Sequence, residues 1–262
     1  MRLELLYNPR LLCERFAIES LRWRRLKKLH GTVAQSLSLG HIDSLELLEI
    51  ARPLGIRSIY DIGANVGTWS LLAKAVIPEA GVEAFEPLAR HCEAFGRALQ
   101  GAGGVRLHKV ALGPENTTAT LRVTDFSDAS SLLPLAEASR SQFGLKEVEQ
   151  VSSLVRRLDD YRIESGLPLP DLLKLDVQGY ELEVLKGAAE CLRSVKAVIT
   201  EVSFSEYYQG QCFFHEVVEF LAGRGLFVTA LGVNTPTGSP VNQTDVLFTR
   251  PARSPAPSPD GQ

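Results

Sequence analysis

Residues 59–70 read IYDIGANVGTWS. The stretch passes from apolar residues through an acid and two glycines into a segment with helical character. A strand that gives way to a helix in this manner presents free backbone N–H groups and the positive end of the helix dipole. Gly63 and Gly67 allow a tight turn and the close approach of a ligand to the backbone. A dinucleotide-binding fold would carry G-x-G-x-x-G here, wrapped around a pyrophosphate. Positions 63, 65 and 68 are instead Gly, Asn and Thr, so that fingerprint fails.

Asp61, two residues before Gly63, is the informative difference. A carboxylate beside the turn repels phosphate and favours a cation, such as an amino group or a sulfonium. Nineteen residues after Gly67, the run AFEP ends the next apolar segment with Glu86. An acid at that place accepts both hydrogen bonds of a ribose diol in nucleoside-binding α/β folds. Taken singly, the glycines also read as a plain turn, and Glu86 as a solvated strand-end charge. In order and at this separation, Asp61, Gly63, Asn65, Gly67 and Glu86 point to S-adenosylmethionine as the cofactor.

Outward from this stretch the pattern alternates. Short apolar, β-branched runs at 57–62, 82–86, 105–112, 172–177, 196–202, 226–231 and 245–250 read as strands. Helical segments at about 66–76, 88–100, 180–192 and 212–223 fill most of the gaps. Such alternation predicts a Rossmann-like α/β domain, a mostly parallel sheet with helices on both faces. Only turn residues, GVNTPTGSPVNQT, join the last two runs, so the final strand is expected to run antiparallel. Residues 1–52 form a helical lead-in, 53–250 the cofactor-binding domain and 251–262 a disordered tail rich in Pro, Ser and Ala. Within the domain, about 113–160 breaks the rhythm with a strand, TATLRV, a loop, SDASSLL, and a polar helix. It reads as an insertion over the C-terminal edge of the sheet. In the lead-in, Asp43 and Glu46 fit a capping box, and Pro53 stops the helix at Ala51.

Composition sets the class. A chain of 262 residues with 45% hydrophobic and 23% charged residues is ordinary for a globular protein. Its net charge of −3 offers no general attraction to nucleic acid. No run reaches the roughly 18 apolar residues that span a bilayer, and acids interrupt the start where a secretory signal would be apolar. The four cysteines lie far apart with no C-x-x-C pair, which argues against zinc and for reduced thiols in a cytoplasmic protein. The lead-in holds eight Arg or Lys against three Glu in residues 1–30, and Leu12, Phe16, Trp23 and Leu26 share a helix face. That face is expected to pack on the domain; peripheral membrane contact is the alternative.

The motifs DIGANVG, VEAFEP, LLKLDVQGYELEVLKGA and VITEV, in that order, resemble those of FkbM-type methyltransferases. SDASSLL and VRRLDDY also stand at the expected places, and the likeness covers roughly 57–205. The family pattern carries Glu where this chain has Gln178 and a small residue where it has Tyr180. The resemblance implies a class I fold with a seven-stranded sheet, S-adenosylmethionine as methyl donor, and O-methylation of a small-molecule, sugar or glycan acceptor.

Other positions carry competing readings. Asp176 ends an apolar strand at the crevice where α/β folds bind ligands; it serves the cofactor, the acceptor hydroxyl or a metal, or else caps the next helix. Glu201 ends VITEV at the same edge, as a proton acceptor or a structural charge. Asp176 stands first as the catalytic base, ahead of Glu201 and His215. Lys174, inside a strand, needs an acidic partner. Ser130 and Ser131 line the acceptor pocket or form a turn, while Asp159 and Asp160 brace the insertion. His108 reads as structural. No metal site is assigned. A nicotinamide-dependent oxidoreductase and a non-catalytic nucleoside-binding module are the rival readings. Hydrolase, Walker-type and zinc-protease motifs are missing from the sequence.

Overall fold

The computed structural model describes residues 20–232, Arg22 excepted, and 241–251. The expected tail past Pro251, Leu12 and Phe16 of the lead-in, and most of the turn-rich link at 232–244 lie outside the described residues. Seven strands make the main sheet. They are β1 (Ser58–Ile62), β2 (Gly81–Phe85), β3 (Val105–His108), β7 (Leu172–Leu175), β8 (Ala197–Ser203), β9 (Phe227–Leu231) and β10 (Gln243–Thr249). Their order is β3-β2-β1-β7-β8-β10-β9, parallel except for β10, which is antiparallel to both β8 and β9. The expected sheet, with its antiparallel last strand, is therefore the one formed.

The central strands β1, β7 and β8 are apolar because both their faces are covered. Along β1 the side chains alternate: Ile59 joins one buried cluster, while Tyr60 and Ile62 join the other. The same period puts Leu172 with Ile59 and Leu173 and Leu175 with Tyr60. Asp61 and Lys174 are register partners, and by period they face the Ile59 side. That side is covered by α1 (Leu45–Ala51) and α2 (Thr68–Val76).

In the described lead-in, residues 23–28 are helical, and Leu29, Ala34 and Leu37 are buried in the same cluster as Leu45, Leu47 and Leu48 of α1. Each fully buried aliphatic side chain contributes about 1.5–3 kcal/mol, which is ample reason for the segment to pack on the sheet domain. Trp23 departs from the expected apolar face and is 65% exposed. The Asp43–Glu46 capping box does not form either. Helix α1 starts after Ser44 with no side-chain cap, and Glu46 is occupied by Arg25, whose Nε donates to Oε1 at 2.7 Å. A buried guanidinium needs a carboxylate more than a helix end needs a cap.

Two continuous runs are broken. The expected strand 105–112 divides at Lys109 into β3 and β4 (Ala111–Gly113), which belong to different sheets. The expected helix 180–192 divides into α6 (Glu181–Lys186) and α7 (Ala189–Ser194), α6 and α7 being numbered after the helices α3 (Ala89–Ala98), α4 (Glu137–Phe143) and α5 (Leu158–Glu164). The break is at Gly187, where a Cβ would collide with the Gly113 carbonyl oxygen. The segment read as an insertion holds a second sheet, ordered β4-β6-β5, of β4, β5 (Thr117–Thr124) and β6 (Glu147–Arg157). The long β6 escapes pattern reading because its sequence, EVEQVSSLVRR, is mostly exposed and polar. The remaining helix, α8 (Phe214–Ala222), packs beside β9.

Candidate active site

The glycine turn after β1 is shaped by its neighbours. The N–H groups of Gly63 and Ala64 both donate to Phe85 O at 3.0 Å, which ties the turn to the end of β2. Gly63 has φ 78°, and a Cβ there would collide with the Asp176 carbonyl oxygen. Gly67 has φ 89°, and a Cβ would lie 2.7 Å from Leu99 and 2.8 Å from Phe95. Asn65 takes φ 47° where a dinucleotide fold would need glycine. Asn tolerates that left-handed region. Its side chain then reaches the insertion, with Nδ2 donating to Asp128 Oδ1 at 2.8 Å.

Glu86 holds the turn from the other side. Its Oε2 accepts the Asn65 N–H at 2.9 Å and its Oε1 accepts the Leu88 N–H at 2.8 Å. Each carboxylate oxygen has a further lone pair, so acceptance from a diol is still available. His91 Nδ1 stands 3.4 Å from Glu86 Oε1.

The second wall is built where β7 and β8 end and the antiparallel β10 begins. Asp176 follows β7, Glu201 lies on β8, and Asp245 is its register partner on β10. Beneath them Lys174 Nζ lies 3.2 Å from Asp61 Oδ1 and 3.6 Å from Asp176 Oδ2, and it donates to Gly63 O at 3.1 Å. Burial works against the Lys174 charge, yet Asp61, Asp176 and Asp245 outweigh it and raise its proton affinity above the usual lysine value. For Glu201 the balance runs the other way. Burial, then Asp176, Asp245 and Glu181, push it well above the ordinary carboxylate range, with only partial relief from Lys174. Burial also lifts Asp245 to about 6, against a hydrogen bond donated by Ser44. Glu181, which accepts the Val177 and Gly179 N–H groups, is lifted by burial to about 7.

A cavity of about 690 Å³ joins both walls and is bordered by residues of the insertion and of the 203–211 loop. That volume is ordinary for a small-molecule site. Gly63, Asn65, Glu86, Asp176, Glu201, Ser130 and Ser131 line it together. Ser131 is 2% exposed, and its Oγ donates to Gln178 O at 2.7 Å. Asp61 and Gly67 do not line the cavity. Asp61 is fully buried behind the turn, where it accepts from Ser70 Oγ at 2.6 Å and faces Lys174. Its carboxylate therefore meets the cavity through Lys174 and the Gly63 backbone. His215 is exposed on α8 outside the lining, which leaves it no part in proton transfer. Asp176 does not cap α6; Glu181 takes the loop amides instead. His108 is held by Glu83 and Tyr161, and Asp159 accepts the Glu190 and Cys191 N–H groups at the start of α7, both structural placements.

Sequence reasoning missed Ser44, Trp69, His91, Tyr208, Gln243 and Asp245 on the walls. Asp245 had a signal, since an acid opening an antiparallel last strand must come to the same edge as Glu201. Tyr208 sits in a loop and had none. Three buried polar atoms on these walls, Asn65 Oδ1, Trp69 Nε1 and His91 Nε2, have no hydrogen-bond partner in the protein. Unmatched donors and acceptors, beside a backbone with no room for a Cβ, fit a nucleoside that supplies the missing partners. Among the described residues no cluster suits a metal ion.

Comparison with known proteins follows the same line. A family model described as the methyltransferase FkbM domain matches residues 61–227. The 2-O-methyltransferase NoeI of Sinorhizobium fredii is 30% identical over 190 residues, covering 69% of this chain and 76% of that protein. The hexuronic acid methyltransferase AglP of Haloferax volcanii is 30% identical over 147 residues, 55% of each chain. Among solved structures, magnesium protoporphyrin IX methyltransferase of Synechocystis aligns with 87% of this chain and 89% of its own, at 13% identity and a TM-score of 0.47.

Proposed function

The chain belongs to the FkbM family of S-adenosylmethionine-dependent methyltransferases, and from that premise we propose that it methylates a hydroxyl of an uncharged sugar or similar small-molecule acceptor. The observation that carries the reading is the meeting of three strand-end carboxylates, Asp176, Glu201 and Asp245, with the Glu86 turn in one cavity. Bound there, S-adenosylmethionine supplies a methyl group already activated on a sulfonium. Glu86, Gly63 and Asn65 are the residues proposed to hold its nucleoside and backbone-facing portions, and Asp61 acts behind them by fixing Lys174.

The chain's own task is alignment and proton removal. A hydroxyl acceptor must lose its proton as the new bond forms. Sequence reading ranks Asp176 ahead of Glu201 for this role; burial favours the reverse order. Glu201 has the raised proton affinity a general base needs, whereas Asp176, 40% exposed at its side chain, is better suited to bind the hydroxyl. Ser130 and Ser131, at the insertion wall, border the acceptor side. The insertion borders this edge and limits the access of water to it.

The acceptor class follows from charge. Among the described lining residues the carboxylates are Asp43, Glu86, Asp128, Asp176, Glu201 and Asp245, and Lys174, the lysine among them, is already shared by three acids. An anionic acceptor would meet net repulsion, so a neutral hydroxyl compound is proposed, unlike the hexuronic acid in the name of the Haloferax relative. A cytoplasmic setting without nucleic-acid partners is part of the proposal, supported by Cys92, Cys191 and Cys212 being free thiols and by the negative net charge. The test is conversion of S-adenosylmethionine to S-adenosylhomocysteine with matched methyl glycosides of a hexose and its uronic acid. The neutral glycoside should be turned over at least tenfold faster; a preference for the uronate would overturn the acceptor class. Absence of cofactor binding in calorimetry would remove the function itself.

A further inference from the structure

Gln178 stands between the two carboxylates assigned to the acceptor. Its Nε2 donates to Asp176 Oδ1 at 2.8 Å and to Glu201 Oε2 at 3.0 Å. An amide nitrogen has two hydrogens, and both are used, one for each carboxylate. The amide cannot be turned over without loss. Its Oε1 lies 2.8 Å from the Tyr208 hydroxyl, which also stands 2.9 Å from Ala129 O and is 3% exposed. The backbone is held as well: Gln178 adopts φ 56°, followed by Gly179 at φ 91°, and its carbonyl oxygen accepts from Ser131 Oγ.

We propose that Gln178 is a positioning residue, which keeps Asp176 and Glu201 as two separately oriented hydrogen-bond acceptors instead of a proton-sharing pair. This rests on the methyl-transfer reading only for its purpose; the clamp itself is a matter of charge and geometry. Two carboxylates that share a site without donors between them hold one proton in common, so which of them binds the hydroxyl and which takes its proton is not fixed. Donors aimed at the charged form oppose that. A Glu at 178 would lack both hydrogens when ionised and add a third negative charge. The Gln in this chain thus separates the tasks of the two acids: one binds the hydroxyl, the other takes its proton.

The surroundings decide the sign of the expected effect. Glu201 is faced by Asp176, Glu181 and Asp245, by the single cation Lys174 among the described residues, and by Tyr207 and Tyr208. Gln243 Nε2 also donates to Glu201 Oε2, at the longer distance of 3.3 Å. Loss of the Gln178 donors therefore leaves the acids repelling one another with one weak donor remaining.

The test is titration of the full chain labelled with ¹³C at the Asp and Glu side-chain carboxyls, the two resonances assigned by Asp176→Asn and Glu201→Gln. In the wild-type protein the Asp176 and Glu201 signals should each titrate in one step with its own midpoint, whereas a proton-sharing pair would show both steps at both resonances. Gln178→Ala should move the Glu201 midpoint upward by about one pH unit, a tenfold change in proton affinity. Gln178→Glu, nearly the same shape, should move it further. Unmoved midpoints in both variants, with unchanged Tm, would overturn the proposal. S-adenosylhomocysteine calorimetry on the same samples reports on the function independently: wild-type and Gln178→Ala proteins should bind within about threefold of each other. If neither binds, the methyl-transfer reading fails while the titration still judges the clamp.

Discussion

Lys174 and Asp61 face each other across neighbouring parallel strands, with Nζ 3.2 Å from Oδ1 and both side chains almost wholly buried. The ion pair lies at the floor of the cavity: Asp61 is buried behind the glycine turn, while Lys174 belongs to the lining. The ammonium also donates to Gly63 O at 3.1 Å, so one lysine holds both the acid and the glycine turn. Asp61→Ala leaves a buried ammonium short of its nearest counter-charge and is expected to cost about 3–5 kcal/mol of stability. Lys174→Met combined with Asp61→Leu should recover much of that loss. Urea denaturation of the two variants measures both; a loss below 1 kcal/mol (about a fivefold change in the unfolding equilibrium) for Asp61→Ala would mean that Asp176 and Asp245 satisfy the lysine alone.

Gly63 tests the turn. Gly63→Ala combines a left-handed φ, which costs an L-residue about 1–2 kcal/mol, with direct overlap on the Asp176 carbonyl. The expected result is a protein that unfolds at least about 5 °C lower, since 1 kcal/mol corresponds to about 2–4 °C in a chain of this size, and that binds S-adenosylhomocysteine poorly. A variant with wild-type Tm and affinity would show that the turn relaxes freely and that the glycine has no structural role.

Glu86 links cofactor affinity to loop order. Glu86→Ala leaves the Asn65 and Leu88 N–H groups without their acceptor and removes the proposed ribose contact. An unmatched buried group costs about 1–3 kcal/mol, so the dissociation constant for S-adenosylhomocysteine should rise at least about fivefold and Tm should fall with it. Glu86→Gln retains one acceptor oxygen and should fall between. Calorimetry beside thermal melts separates the two effects, and unchanged affinity in Glu86→Ala would remove this residue from the cofactor site.

Asp245 supplies the pH dependence. Burial lifts it to about 6 in the folded chain, above its value in the unfolded chain. The folded state therefore binds its proton more tightly, and the associated stability is fully present below about pH 4 and lost as pH rises through about 6. Because the side chain is partly open to the cavity, about 1 kcal/mol is a reasonable size for the effect, or about 2–4 °C. Asp245→Asn, which keeps a partner for Ser44, should flatten this part of the Tm-against-pH curve and raise Tm at pH 8 relative to wild type. An identical slope between pH 4 and 7 in both proteins would count against it.

Much of the scaffold is readable because its cause is local. Apolar period-2 runs separated by helical segments require a covered parallel sheet, and a two-glycine turn after the first run marks the edge where the cofactor is proposed to bind. Glu86, Asp176 and Glu201 were legible for the same reason: Glu86 and Asp176 follow directly on β2 and β7, Glu201 lies two residues before the end of β8, and in this topology those ends converge. Strand β6 was not legible, because its half-exposed polar sequence buries too little to leave a pattern. The break of α6 from α7 was hidden too, since Gly187 is required by a backbone 74 positions away, at Gly113.

Sequence alone determined the α/β class, the reversed final strand and the acids that end the strands, because these follow from residue order and side-chain period. Tertiary structure alone decided what each acid does. Asp61 turned inward to neutralise Lys174, Asp245 crossed from the last strand to face Glu201, and Gln178 came between Asp176 and Glu201 with Tyr208 fixing its amide. Charge burial and hydrogen-bond partnership depend on distances between residues far apart in the chain, and those exist only once the sheet has closed.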